Sequence, residues 1–139
     1  GTAAIELLKI QPTLADILTP VGGGGLLAGT ALAARDYGTN CKVFAGEPFG
    51  ADDAYRSMQS GKIEYNTSVN TIADGLRTHL GDKNFPIIKT LVSEIIRVEE
   101  QEIIAAMKLF WERLKIIIEP SCAVHFAAVL YTHLTPADD

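Results

Sequence analysis

Four consecutive glycines, at residues 22–25, follow the apolar segment "ADILTPV" and precede "LLAGTALAARDYG", which carries alanines and leucines at helical spacing. Each glycine gives the unfolded chain freedom that is lost on folding, so a run of four is costly in a packed domain. The apolar segment predicts a buried strand, and the segment after the glycines predicts a helix. The run therefore predicts a tight strand-to-helix turn whose backbone has to be free of side chains.

Strand and helix patterns alternate along the rest of the chain. The predicted helices cover residues 2–11, 26–38, 51–61, 83–94, 99–116 and 120–134, and the predicted strands cover 15–21, 41–46 and 95–98. Residues 70–81 predict a loop with a brief extended piece. Because the strands are apolar throughout, we predict an α/β fold, with a parallel sheet and helices on both faces. Without an evident linker or repeat, residues 1–139 are expected to form a single domain or part of one.

Composition excludes several classes of function. The net charge is −5, whereas a nucleic-acid-binding surface is rich in lysine and arginine. No apolar run approaches the roughly 20 residues of a membrane-spanning helix. The two cysteines, Cys41 and Cys122, have no metal-like spacing and indicate a reducing compartment. We expect a cytoplasmic protein with neither a nucleic-acid nor a membrane partner.

The glycine run is suited to binding a phosphate group. Free N–H groups in the first turn of a helix point at a ligand, and the helix dipole favours an anion there. A turn that needed only one left-handed residue would need only one glycine, so we favour the phosphate interpretation over a purely structural one.

Two further interpretations of the glycine run remain open. Gly23, Gly25 and Ala28 match the dinucleotide fingerprint G-x-G-x-x-A, and Glu47 follows at about the distance of a ribose-binding acid. An NAD-binding Rossmann domain is therefore one alternative. A non-catalytic phosphate- or metal-binding fold is another.

The segment "EPFGADD" is a candidate cation site. Glu47 and Asp53 are separated by a turn that contains Pro48 and Gly50, and such a turn can bring two carboxylates and a backbone carbonyl to one hard cation. The alternative is that Asp52 or Asp53 caps the following helix while Glu47 is solvated.

Glu119 stands between the apolar run "KIII" and a helix that begins at Pro120. It is either an acid at a helix start or a side chain that faces a ligand at the same sheet edge as the glycines. The residues alone do not separate these two interpretations.

The segments "VGGGGLLAG", "GEPFGADDAYRS", "TIADGLR", "FWERLKIIIEPS" and "AAVL", taken in this order and spacing, resemble the serine racemase and serine/threonine dehydratase family. These are fold-type II enzymes dependent on pyridoxal 5'-phosphate (PLP), with a tryptophan synthase β-like large domain. The resemblance implies a PLP site and a site for Mg²⁺ or Ca²⁺. The implied PLP-binding residues are Gly22, Gly23, Gly24, Gly25, Leu26, Gly75 and Glu119, and the implied metal ligands are Glu47, the Ala51 carbonyl and Asp53.

The resemblance also implies an activity and partners. The activity is removal of the Cα proton of serine or threonine, followed by racemisation or by loss of water. The resemblance implies a homodimer, and it implies a nucleotide effector at Lys115. The alternative is that Lys115 is a lysine at the end of a helix without such a role. Cys122 and His125 depart from the family pattern, which has small residues at both positions. One interpretation is that a larger side chain beside the cofactor restricts the site; for His125 we favour a partly buried helix histidine whose ring is fully hydrogen-bonded.

The family carries its Schiff-base lysine in an S-x-K motif upstream of the glycine run. None of the seven lysines of this chain lies in such a motif. We therefore expect the chain to be the C-terminal part of the large domain, without the small domain and without turnover of its own.

Overall fold

The structure is a computed structural model that describes residues 1–131, and within them it contains three strands and six α-helices. The strands are β1 (Asp16–Pro20), β2 (Lys42–Pro48) and β3 (Glu94–Val98), and the helices are α1 (Thr2–Ile10), α2 (Gly25–Tyr37), α3 (Asp53–Ser60), α4 (Phe85–Leu91), α5 (Glu100–Leu109) and α6 (Pro120–Leu130). Two 3-10 turns, Phe49–Ala51 and Asp74–Leu76, and one π-helical turn, Phe110–Leu114, join these elements. No helix within residues 1–131 is both long and apolar enough to cross a bilayer.

The three strands form one parallel sheet in the order β1-β2-β3. In the register, Thr19 lies beside Ala45, and Glu47 lies beside Arg97. All three carboxyl ends lie at the same edge of the sheet, so the residues that follow β1, β2 and β3 are brought close together.

Helices cover both faces of the sheet, as the sequence predicts. One hydrophobic core joins α1, α2 and α4 to the sheet, and a second joins α5 and α6 to the opposite face. Ile95 belongs to the first core and its neighbour Ile96 to the second, which explains why β3 is apolar at successive positions. Gly46 allows α6 to lie close to β2, because a Cβ there would come 2.8 Å from His125 Cα.

The predicted helix at residues 99–116 is too long. α5 ends at Leu109, and the π-helical turn is followed by Lys115 in the left-handed conformation with φ of 58°. The next three residues are isoleucines, whose β-branched side chains favour helix less than extended backbone. Phe110 packs edge-to-face on Phe126 of α6, with 4.5 Å between ring centroids, and this contact holds the turn.

The other differences concern shorter segments. The brief extended piece predicted within residues 70–81 is a 3-10 turn at Asp74–Leu76. β2 runs two residues beyond the predicted end at Gly46, α3 starts two residues later than predicted, and α4 is confined to the middle of the predicted helix. The last helix is confirmed as far as Leu130, and its predicted end at residues 132–134 lies outside the described residues.

Candidate functional site

The glycine turn lies at the carboxyl end of β1. The Val21 amide donates a 3.1 Å hydrogen bond to the Gly46 carbonyl, which holds the end of β1 against β2. The Gly23 carbonyl accepts hydrogen bonds from the Gly81 amide at 3.1 Å and from Asn84 Nδ2 at 2.7 Å. The turn is thus fixed from two sides before any ligand binds.

The backbone amides of the turn are free. Within the described part of the chain, the amides of residues 22–27 donate no hydrogen bond, and Ala28 is the first whose amide does, to the Gly24 carbonyl at 2.8 Å. No side chain caps the start of α2. Free N–H groups at the positive end of a helix dipole bind anions. The geometry therefore supports the predicted phosphate site.

Packing accounts for only part of the glycine run. Gly24 has a φ of 83°, and a Cβ there would lie 2.7 Å from Leu80 Cδ1 and 2.8 Å from Ile88 Cδ1. A Cβ on Gly25, by contrast, would meet no heavy atom within 4 Å. Protein packing therefore requires glycine at residue 24 and not at residue 25. The bare backbone at Gly25 leaves room for a ligand.

One cavity of about 440 Å³ brings together all seven residues that the resemblance assigns to PLP. Gly75 faces the glycine turn from the 3-10 turn, where its amide donates a 3.0 Å hydrogen bond to Ser121 Oγ. Glu119 occupies the N-cap position of α6 but makes no capping hydrogen bond, and it lines the cavity. This placement favours the ligand-facing interpretation of Glu119.

The cavity also contains three residues of α6, of which Cys122 and His125 were considered from the sequence only as departures from the family pattern. Ser121, Cys122 and His125 line it from the first two turns of α6. The hydrogen-bonded ring expected for His125 is wrong, since its Nδ1 has no partner among the described residues. Cys122 and His125 are three residues apart, and helical spacing places such a pair on one face. That spacing was a usable signal, whereas nothing in the sequence marked the pairing of Ser121 with Gly75.

Glu47 and Asp53 are both buried, each of them only 1% exposed. Glu47 Oε1 accepts a hydrogen bond from the Ala54 amide at 3.0 Å, and Glu47 Oε2 accepts one from the Tyr55 amide at 2.8 Å. Asp53 accepts from the Leu80 amide at 2.8 Å. The interpretation of Glu47 as a solvated side chain is therefore wrong.

Burial makes negative charge unfavourable at this pair. It raises the pKa of Glu47 to about 8, against the effect of the two amide hydrogen bonds, and the nearby Asp53 charge raises it further. Burial likewise raises the pKa of Asp53 above its ordinary value. The buried Ala51 carbonyl accepts no hydrogen bond from a described residue. Two carboxylates and a free carbonyl are hard oxygen donors, so they fit Mg²⁺ or Ca²⁺.

The donor set is small. Within residues 1–131 no three side chains of His, Cys, Asp or Glu cluster as metal ligands would. A cation here would thus need the Ala51 carbonyl and water to complete its coordination.

Asp52 braces the loop that holds these groups. Its carboxylate accepts a 2.8 Å hydrogen bond from Arg56 and a 2.9 Å hydrogen bond from Arg97. The Arg97 guanidinium also lies over the rings of Phe49 and Tyr55, about 4 Å from each centroid. Asp52 occupies the N-cap position of α3, but its carboxylate accepts no capping hydrogen bond and instead binds Arg56 and Arg97.

Two predicted features lie away from the cavity. Lys115 is exposed, and its Nζ donates a 2.9 Å hydrogen bond to the Glu112 carbonyl. Glu47, the ribose-binding acid of the NAD interpretation, does not line the glycine-turn cavity and is engaged by α3. The structure therefore gives the NAD interpretation no support from Glu47.

Known proteins resemble this chain along nearly its whole length. The model of the family described as "Pyridoxal-phosphate dependent enzyme" matches residues 1–138. A serine racemase from Dictyostelium discoideum is 56% identical over 132 residues, which cover 94% of this chain and 41% of that protein.

Two solved structures have the same fold. Maize serine racemase has a TM-score of 0.93 at 43% identity, covering 98% of this chain and 41% of the maize chain. A threonine deaminase from T.th. has a TM-score of 0.90 at 39% identity, covering 96% of this chain and 51% of the deaminase chain. This chain thus spans about two fifths of the length of the racemases that it matches. With its free glycine-turn amides and a family match over residues 1–138, the chain belongs to the PLP-dependent enzymes of fold type II.

Proposed function

We propose that this chain forms the phosphate-binding part of a PLP-dependent serine racemase or L-serine (threonine) dehydratase. The observation that carries the proposal is the row of free amides at residues 22–27, which faces Gly75 and Glu119 across one cavity. The similarity to a serine racemase and to a threonine deaminase supports serine or threonine as the substrate. The reaction is removal of the Cα proton, followed by racemisation or by elimination of water.

The residues of the chain have distinct tasks in this proposal. PLP supplies the conjugated ring that accepts electrons when a proton leaves Cα. The free amides of the glycine turn hold the phosphate, and the Gly75 backbone and the Glu119 carboxylate orient the rest of the cofactor. The hydrogen bond from the Gly75 amide to Ser121 Oγ joins the 3-10 turn to α6, and both elements line the cavity.

Borohydride reduction tests the part of the proposal that concerns the lysine. PLP chemistry needs a lysine that forms a Schiff base, and none of the seven lysines lines the described cavity. We expect the chain to bind PLP without a site-specific covalent adduct after reduction, as measured by intact mass and peptide mapping. A stoichiometric adduct on one lysine, or turnover of serine by the pure chain, would contradict this expectation.

We also propose that Glu47, the Ala51 carbonyl and Asp53 bind Mg²⁺ or Ca²⁺. The support is the burial of two carboxylates, together with the buried Ala51 carbonyl, which accepts no hydrogen bond from a described residue. A divalent cation would offset the charge that burial disfavours.

A nucleotide effector site at Lys115 is the third part of the proposal. Lys115 lines a groove with Trp111, which is 66% exposed, and an exposed indole with a nearby amine suits a base and a phosphate. Lys115→Met should weaken ATP binding several-fold in a fluorescence titration, with no change in thermal stability. The control is Lys9→Met, at the exposed end of α1, which should bind ATP as the unmodified chain does. Equal ATP affinity in all three proteins would remove the role of Lys115.

The proposal includes two properties of the whole enzyme. We propose a homodimer, for which the exposed apolar residues Trp111, Leu114 and Ile117 offer contact surface. We also propose a cytoplasmic location, which the two free cysteines support.

A further inference from the structure

His125 has a polar ring with unused hydrogen-bonding capacity. It lies in the second turn of α6 and lines the cavity together with the glycine turn. Its Nδ1 is shielded from solvent and has no hydrogen-bond partner among the described residues. Because a solvent-shielded atom cannot be reached from the cavity, a bound anion would meet the ring at Nε2, which makes no hydrogen bond with a described residue.

The cavity lacks a fixed positive charge. Its described lining includes one carboxylate, Glu119, and no lysine or arginine. A phosphate group carries close to two negative charges at neutral pH, and the amides of residues 22–27 contribute only partial positive charge. Among the lining side chains, His125 is the one that can become a cation.

We propose that His125 is a cationic ligand for the phosphate group bound at the glycine turn, and that it takes up a proton when the anion binds. This inference rests on the proposed function, since it assigns a partner to the same anion. The imidazolium donates a hydrogen bond to an anion oxygen and adds one full charge to a site built from backbone amides.

Glu119 carries the one carboxylate among the described residues that share the cavity with His125, and it forms no ion pair with that ring. Burial alone lowers the pKa of His125 below its ordinary value, so the free cavity favours the neutral ring. Glu119 and Cys122 are the titratable groups that share the cavity. Glu47 on β2 is hydrogen-bonded to α3, and Arg97 on β3 is stacked on Phe49 and Tyr55.

The segments beside α6 carry further charged groups, none of which lines the cavity. In the 70–77 segment, Asp74 is exposed and Arg77 donates to the Thr71 carbonyl at 2.9 Å. On α5, the carboxylate of Glu100 accepts from the Ile72 amide and that of Glu102 from the Glu99 amide. The proposal assigns the proton that binds with the anion to the ring of His125, and Glu119 and Cys122 are the other titratable groups of the described lining.

Sulfate is a suitable probe, because it stays dianionic across the pH range in which histidine titrates. A charge-assisted hydrogen bond strengthens binding by roughly tenfold to hundredfold. We expect calorimetry to show sulfate affinity falling by about that factor between pH 5.5 and pH 8. By linkage, saturating sulfate should raise the pKa of His125 by about one to two, as followed through the ring resonances by NMR.

Two variants separate His125 from His79. His125→Gln should bind sulfate with an affinity that no longer depends on pH. His79→Gln should keep the full pH dependence, because His79 packs against the Tyr65 ring and does not line the cavity. Loss of the pH dependence in a control variant, with retention in His125→Gln, would overturn the inference.

Measurements on the unmodified chain distinguish failure of the His125 inference from failure of the proposed function. Sulfate binding that is independent of pH, with an unchanged pKa of His125, would overturn the role of His125 and leave the anion site in place. Absence of sulfate binding at every pH would contradict the proposed function itself. The NMR measurement needs no variant for its readout, so the inference stays testable even if His125→Gln does not fold.

Discussion

Gly24→Ala is expected to destabilise the fold severely, whereas Gly25→Ala is expected to leave the fold stable and weaken anion binding. A left-handed backbone costs a residue with a Cβ about 1–2 kcal/mol. The new Cβ at residue 24 would also lie 2.7 Å from Leu80 Cδ1 and 2.8 Å from Ile88 Cδ1, and overpacking of this kind costs about 1–3 kcal/mol. The free energy of unfolding should therefore fall by about 2–5 kcal/mol.

The same substitution one residue later meets open space. Gly25 is the first residue of α2, and alanine at a helical position is favoured over glycine by up to about 1 kcal/mol. Its Cβ would occupy the space that the structure leaves beside the free amides. We expect sulfate affinity to fall tenfold or more, comparable to the loss of one charged hydrogen bond of about 1.5–3 kcal/mol.

Urea unfolding and sulfate calorimetry on both variants check this pair of expectations. The two variants carry the same chemical change at adjacent residues, so each serves as the control for the other. Sulfate affinity in Gly25→Ala equal to that of the unmodified chain would show that the anion binds elsewhere. A stability for Gly24→Ala near that of the unmodified chain would show that the turn can relax around residue 24.

The sequence was sufficient to predict most of the fold, because the hydrophobic pattern of most segments agrees with the faces that they bury. Ile95 and Ile96 are both apolar since each belongs to a different core, and this is the pattern from which a sheet covered on both faces was predicted. The end of α5 was not predictable in the same way. The amphipathic pattern continues past Leu109, while the left-handed Lys115 and the contact of Phe110 with Phe126 depend on tertiary packing.

The candidate site likewise has parts that the sequence predicts and parts that depend on tertiary structure. The glycine run identifies the position of the anion site in the sequence, because several consecutive glycines before a helix have few other functions. The resemblance added Gly75 and Glu119, which the structure places in the same cavity. The burial of Glu47 could not be inferred, since its partners are backbone amides of α3 and carry no sequence signal. The proposed cationic role of His125 could not be inferred from the sequence either, since it rests on the absence of lysine and arginine from the described cavity lining.

Mg²⁺ or Ca²⁺ is expected to stabilise the chain strongly, and Asp53→Asn is expected to abolish that effect. A cation at one hundred times its Kd adds about 2.7 kcal/mol to the free energy of unfolding. For a domain of this size, that corresponds to a rise in Tm on the order of 10 °C. The physical reason is that the buried carboxylates of Glu47 and Asp53 accept hydrogen bonds from backbone amides but form no ion pair with a lysine or arginine within residues 1–131.

Asp53→Asn has a cost of its own, which the experiment must separate from loss of the cation. Asp53 uses one oxygen for the Leu80 amide at 2.8 Å and the other for Asn66 Nδ2 at 2.8 Å. The asparagine keeps only one of these acceptors, so it leaves one buried donor unpaired at a cost of about 1–3 kcal/mol. The readout is therefore the change in Tm when cation is added to each protein, and not the Tm itself.

Asp52→Asn is the matched control, because it removes the same charge one residue earlier. It loses the hydrogen bonds from Arg56 and Arg97, so it should be less stable, yet it should keep most of the gain in Tm when cation is added. Scanning calorimetry with EDTA, with cation, and with NaCl of equal ionic strength separates specific binding from screening. If Asp52→Asn loses the gain and Asp53→Asn retains it, the bound oxygen is that of Asp52 and the assigned ligand set is wrong. If no protein gains stability beyond the NaCl control, Glu47 and Asp53 are structural acceptors that hold α3 and the segment before α4 against the sheet.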